Sequence, residues 1–211
     1  MKKLVIIGAG GMGREIYYTA INSKGYGIDF VVKGFIDDDL SSLDGFSGYP
    51  PLLGSISEYE IEMDDVFACS IGNVQTKVKV CEMIKRRGGS FQTLIHNKAL
   101  LKENVTIGDG TIVDSFAILS CDTKIGENCL IQQQAIIGHD VVIGDYTRID
   151  CQAMFVGGVR VGNRCTVHTS AVCNHHVVLE DDSIVGAQSF VIRKVKAGTT
   201  VCGNPAKRLN F

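Results

Sequence analysis

The 211-residue chain has no marked excess of either charge, no long apolar run and no CxxC pair. A formal net charge of −2 gives nucleic acid no electrostatic foothold as a partner. No apolar run approaches the roughly 20 residues that a membrane-crossing helix needs. The basic residues near Arg193 are too few for a polybasic membrane segment, so no membrane insertion is expected. Met1-Lys2-Lys3 leads straight into a predicted strand, which reads as no signal peptide. Eight cysteines without CxxC spacing or a secretion signal read as reduced thiols of a cytoplasmic protein.

What the chain does have is a repeat. From Ile95 to Cys202 an apolar residue recurs every six positions, giving 18 hexads. Four residues after each lead stands a small residue, among them Ala117, Cys129, Ala135, Ala153 and Cys165. Small and lead positions are two apart, so both point inward along a strand. Gly follows many leads, as in Gly126, Gly138, Gly144 and Gly162, and is expected to turn the corner. Period six cannot serve a helix, whereas short strands joined by tight corners use it directly. The pattern predicts a parallel β-helix of about six triangular coils, in which residues 18 apart stack.

Residues 1–92 lack the repeat and form a separate module, with 93–211 as the β-helix and its tail. Strands are predicted at Lys3–Ile7, Val31–Ile36 and Val66–Ile71, and helices at Arg14–Ser23 and Val74–Arg87, with Gly88–Thr93 as the junction. Alternating strand and helix implies a small parallel α/β sheet, a Rossmann-like half-domain. Between the first strand and helix, Gly8, Gly10 and Gly13 stand at GxGxxG spacing, with Gly11 between them. Such a loop brings backbone and a helix N-terminus up to a phosphate, and Asp37 at the end of the second strand suits a ribose hydroxyl. About 90 residues supply one half-fold, which favours a mononucleotide-type ligand over NAD.

Sorting the residue before each lead by face separates three surfaces. One face reads Leu100, Ile118, Ile136, Met154, Val172 and Phe190, all apolar. Such a stripe needs cover, and a second copy of the chain in a homotrimer is the expected one. The corner after it stacks Glu103, Cys121, His139, Gly157, His175 and Arg193, with Asp140, Gly158, His176 and Lys194 beside them. A base at His139, a slot expected over Gly157-Gly158 and the cations Arg193 and Lys194 suit an elongated ligand with a reactive end and a phosphate end. His175 or His176 could line the same slot. His96 reads as structural, and His168 is left open.

The stretches VIIGAGGMGREI, GFIDDD, SIGN, IIGHDVVIGDYTRI, GGVRVGNRC and GNPAKRL resemble the bacterial nucleotide-sugar acyltransferases. These comprise N-acetyltransferases of UDP-4-amino sugars and GDP-perosamine and related sialic acid O-acetyltransferases. The resemblance spans essentially the whole chain and implies a left-handed β-helix. It implies that His139 is the general base, Asp140 its acidic neighbour, and Gly157 the N–H beside the acetyl-CoA thioester oxygen. It places the nucleotide sugar on Gly8–Gly13, Asp37 and Asp38. Coenzyme A would run between two subunits past Gly157, Gly158, His175, Ala187, Arg193 and Lys194. Four positions depart from the family pattern. Arg148 replaces a frequent second His, Cys151-Gln152 a common Pro-Gly, Gln132 an Asn near the sugar, and His175 a Pro. Gln132 and Arg148 are therefore expected on the sugar side.

The expected chemistry is direct acetyl transfer to a sugar amine, with His139 taking the proton and no metal involved. O-acetylation of sialic acid or another sugar is the alternative within the class. A metal-dependent hydratase built on the same helix and a non-catalytic nucleotide-binding scaffold are the alternatives outside it.

Overall fold

The computed structural model describes residues 1–209, so positions 210 and 211 of the expected 93–211 module lie outside the described residues. Two compact units divide between Asn97 and Lys98.

The first unit runs β1 (Lys2–Ile7), α1 (Gly11–Ile21), β2 (Phe30–Ile36), β3 (Asp65–Cys69), α2 (Val74–Arg86) and β4 (Ser90–Phe91). Its strands are parallel in the order β2-β1-β3-β4. The central strand β1 is apolar from Leu4 to Ile7 and wholly buried there, as a strand covered on both faces must be. Helix α1 begins at Gly11 rather than Arg14, because the second half of the glycine motif is itself the first turn. Packing enforces this: a Cβ on Gly13 would overlap the Gly8 carbonyl. Strand β3 stops at Cys69 rather than Ile71, since Ser70 turns its N–H and hydroxyl onto the Ile7 carbonyl. Asn73 caps α2 by accepting from the Thr76 N–H at 2.9 Å. The segment read as a bare junction contributes β4, paired with β3.

A charged cluster closes the other end of this sheet. Lys33 Nζ lies 3.0 Å from Asp65 Oδ1 and 2.6 Å from the Tyr59 hydroxyl, which itself donates to Asp65. Burial alone would raise the Asp65 carboxyl. The Glu62 N–H, the Tyr59 hydroxyl and the Lys33 ammonium together hold it below its ordinary value.

In the second unit every strand is two residues long until Val191 and stacks parallel on the strand 18 positions away, as Ile136 does on Ile118 and Met154. Three sheets result, one per face of a left-handed β-helix. The apolar face carries the six strands that begin at Leu100, Ile118, Ile136, Met154, Val172 and Phe190. Leads and small residues fill the interior: Leu119, Ile137, Phe155, Ala135 and Ala153 are completely buried.

The small residues also satisfy corner carbonyls. Thr111 Oγ1 donates to Gly126 O at 2.7 Å and accepts from the Cys129 N–H, and Thr147 does the same for Gly162 O and Cys165 N. Thiols at Cys129 and Cys165 reach Gly144 O and Glu180 O at 3.1 and 3.2 Å. A hydroxyl or thiol in this column therefore fills space and removes an unpaired buried acceptor.

The corners correct one expectation. The residue with positive φ is the third after the lead, as at Asn104, Phe116, Asp140 and His176, and it is usually not glycine. Glycine directly after the lead serves close stacking instead. A Cβ on Gly144 would lie 2.7 Å from the Gly162 backbone carbon of the next coil and 2.5 Å from Asn163 Oδ1. At this corner each coil borrows an acceptor from the next. Glu127 N donates to Asp145, Asp145 N to Asn163, and Asn163 N to Asp181, at 2.8–2.9 Å.

The repeat is also not unbroken to Cys202. After Val191 the chain saves two residues, so Leu179 pairs with Val195 and Ile184 with Thr200. Ala197, expected as an inward lead, is exposed, and Val195 is buried in its place. The chain then folds back, Lys207–Arg208 pairing antiparallel with Val201–Cys202.

Two stability measurements follow. Gly144→Ala should cost about 1–3 kcal/mol in urea unfolding, because backbone rather than a flexible side chain must yield. Asp65→Asn should destabilise the protein at neutral pH. A depressed carboxyl stabilises only while ionised, so the gap between wild type and variant should close as pH falls below the ordinary carboxylate range.

Candidate active site

His139 stands at the corner that leaves the apolar face. Its Nδ1 is 2.7 Å from Asp140 Oδ2, and both side chains are about two-thirds exposed. With Asp140 accepting the Nδ1 proton, the lone pair of Nε2 is left for an incoming acid. The ring lies over the next coil: a Cβ on Gly157 would overlap Cε1 and Nε2 of His139. Above it, a Cβ on Gly158 would overlap Nδ1 of His176 and lie 2.6 Å from its Cε1.

The expected open slot over Gly157-Gly158 is therefore occupied by two imidazoles, one from the coil below and one from the coil above. Absent side chains make room for rings, not for a void. The Gly157 N–H makes no hydrogen bond among the described residues. His175 is exposed beside His176, ring centroids 6.2 Å apart, and does not cover the glycines. One coil below His139, the Cys121 thiol is spent on Glu103, at 3.5 Å.

Toward the last coil, Arg193 and Lys194 line a cavity of about 390 Å³ with Lys196, Lys207 and Arg208. Lys194 pairs with Glu180, and that ammonium together with the Ala197 N–H holds the Glu180 carboxyl below its usual value. Ala187 is exposed on a different corner, the one that enters the apolar face.

That second corner carries Gln132, and Arg148, in the strand Arg148–Ile149 that leads into it, reaches the corner residue Asp150. Arg148 Nε donates to Asp150 Oδ1 at 2.5 Å, and His168 Nδ1 lies 2.9 Å from Asp150 Oδ2. The Cys151 thiol approaches Gln132 and Gln133 at 3.6 and 3.8 Å. Burial, with the charges of Asp150 and Asp114, pushes that thiol upward. Among the described residues no group of three or more His, Cys, Asp or Glu is placed to hold a metal ion.

In the first unit the glycine loop is built for close approach. Gly8 has φ +96°, Gly10 caps α1 without any side chain, and nothing lies within 4 Å of a Cβ on Gly10. Asp37, expected to hold a ribose, already accepts from Ala9 N at 2.7 Å through one oxygen and from Asp39 N at 3.0 Å through the other. It fixes the loop's shape. Asp38 accepts from Ile56 N at 3.0 Å and anchors the following segment.

Comparison with known proteins matches these parts. Residues 3–84 fit the PglD N-terminal domain and residues 90–184 the GMPPB C-terminal domain. A curated relative, UDP-N-acetylbacillosamine N-acetyltransferase of Bacillus subtilis, is 31% identical over 118 residues. That match takes in 54% of this chain and 51% of the relative, so the chain spans about half the length of the curated relative it matches.

Among solved structures, a mutant of Caulobacter crescentus perosamine N-acetyltransferase in complex with CoA and GDP-perosamine superposes with a TM-score of 0.87. It is 23% identical and covers 100% of this chain and 98% of its own. WeeI from Acinetobacter baumannii gives 0.86 at 25% identity, covering 99% and 100%. In fold the chain is similar to both structures along essentially its whole length.

Two features escape the sequence reading. His176, not His175, reaches the glycine pair. Asp150 joins Arg148 to His168, a link visible only when the residue after each lead is also read in steps of 18: Asp114, Gln132, Asp150, His168, Gly186. Gly157→Ala should displace the His139 ring. A shifted His139 imidazole resonance with an unchanged circular dichroism spectrum is the expected result.

Proposed function

We propose that this chain transfers the acetyl group of acetyl-CoA to the amine of a nucleotide-linked 4-amino sugar, in surface-glycan synthesis. The observation that carries the reading is the His139–Asp140 dyad seated on Gly157, on a corner whose column leads to the cation-lined cavity of the last coil. A solved perosamine N-acetyltransferase in complex with CoA and GDP-perosamine shares the fold along the chain's whole length, and UDP-N-acetylbacillosamine N-acetyltransferase matches about half of it.

The amine nitrogen attacks the thioester carbonyl carbon, and its proton passes to His139 Nε2. Asp140 holds the ring in the tautomer that can accept it and stabilises the imidazolium. Negative charge then sits on the carbonyl oxygen, where the Gly157 N–H is the donor assigned to it. Collapse breaks the C–S bond, and the coenzyme A sulfur leaves as the thiol with the proton from His139. The exposed ring of His139 must turn on its side chain to admit the thioester to Gly157. Arg193 and Lys194 take the phosphate end of coenzyme A, and the Gly8–Gly13 loop receives the nucleotide phosphates at the N-terminus of α1.

The assembly in this reading is a homotrimer. Leu100, Ile136 and Met154 on the apolar face are 52%, 37% and 40% exposed in the single chain, and a contiguous apolar stripe of this kind marks an interface. No helix among the described residues is long and apolar enough to cross a membrane, and we assign the enzyme to the cytoplasm.

A screen of nucleotide-linked 4-amino sugars with acetyl-CoA, read by thiol release and product mass, tests the reaction. His139→Ala should lower turnover by about 10²–10⁴-fold, the worth of a general base, with coenzyme A binding retained. Near-wild-type turnover would remove His139 from the mechanism. Met154→Glu should convert the trimer to monomers in sedimentation, and a wild-type protein that sediments as a monomer would refute the assembly.

A further inference from the structure

Asp150 has a side chain only 7% exposed, yet it carries two basic partners. Arg148 grips it through Nε on Oδ1 at 2.5 Å and through a second guanidinium nitrogen on Oδ2 at 3.2 Å, and His168 Nδ1 shares that Oδ2 at 2.9 Å. The His168 side chain is 40% exposed, and its Nε2 makes no hydrogen bond among the described residues. A carboxylate that fixes Nδ1 and turns Nε2 outward repeats the His139–Asp140 geometry. Here the carboxylate is buried and held from a second side, so the imidazole is more firmly oriented. The two imidazoles lie on the two corners that border one apolar face: Asp150 just before Met154–Phe155, Gly157 just after. Covering that face with another copy draws the two kinds of corner into one crevice.

We propose that the Arg148–Asp150–His168 cluster is a specificity subsite for the acceptor sugar, with His168 Nε2 meeting a hydroxyl or amino group of the sugar ring. This rests on the acetyl-transfer reading above. The orientation of the ring selects that class of ligand. With its Nδ1 on the buried Asp150 carboxylate, His168 presents the Nε2 lone pair outward. An acceptor in that position meets hydrogen-bond donors such as a sugar hydroxyl or amine, and offers nothing to the phosphate oxygens of coenzyme A or of the nucleotide. His168 is a positioning residue here, because His139 handles the transferred proton.

The test is steady-state kinetics of wild type, His139→Ala, His168→Ala and His168→Gln with acetyl-CoA and a nucleotide amino sugar that the wild type acetylates. His168→Ala should raise the acceptor KM about tenfold, the cost of one lost hydrogen bond in an oriented site, and leave the acetyl-CoA KM within about twofold. Gln places a polar atom near the Nε2 position and should recover part of the loss. Acceptor-dependent movement of the His168 ring resonance in wild-type protein gives a readout that needs no variant to fold. An unchanged acceptor KM, an equal rise in both KM values, or a ring resonance indifferent to acceptor would reduce the cluster to structural support. Those results overturn this proposal alone if His139→Ala still lowers turnover by about 10²–10⁴-fold. A wild-type protein that acetylates no nucleotide sugar overturns the reaction and the subsite together.

Discussion

Coil-on-coil stacking is the constraint from which the rest of the second unit follows. Each coil donates its backbone N–H groups to the next, as Ile118 does to Ala135 and Met154 to Ala171, at 2.8–2.9 Å. Strands of two residues have almost no pairing energy in isolation, so the ladder holds only because it recurs along the whole prism. Stacking then governs the side chains. Interior positions must be apolar leads or small residues that can also bond a carbonyl, and the glycine after the lead must let the next backbone approach. Outward positions are freer in composition, and the residues assigned to the proposed chemistry stand at them.

That separation explains how a rigid scaffold can support a particular reaction. A corner residue two after the lead has an outward side chain whose height is fixed by the coils above and below. His139 gains its seat on Gly157 from this register. The same geometry aligns Arg148, Asp150 and His168 across two coils. Neither set needs a flexible loop for its placement, and a variant at a corner can alter function with little effect on the interior.

Much of this was legible before any coordinates. Period six names the β-helix, and steps of 18 put Leu100, Ile118, Ile136, Met154, Val172 and Phe190 on one face and His139 one coil below an absent side chain at Gly157. Three kinds of fact were not legible. The glycine after the lead looks like a turn residue because glycine often is one, yet the left-handed corner falls two positions later and accepts Asn, Asp, Gln or His. The two-residue saving after Val191 hides inside a run where Val195 and Ala197 both satisfy an apolar pattern. Ring direction is invisible in a string of letters, so His176 over Gly158 and His168 against Asp150 had to await side-chain geometry. In the first unit the strand order was implied by alternation, but the use of Asp37 to brace its own loop was not.

The last coil has one more effect. A stack of parallel strands ends in a row of unpaired donors and acceptors that any extended peptide could join, including the first coil of another molecule. Dropping two residues spoils the spacing at that end, and the antiparallel return of Lys207–Arg208 caps it with two exposed cations. The strand that covers this edge and the cavity of the last coil thus share the same two cations, so a change at Lys207 or Arg208 would disturb edge and cavity together.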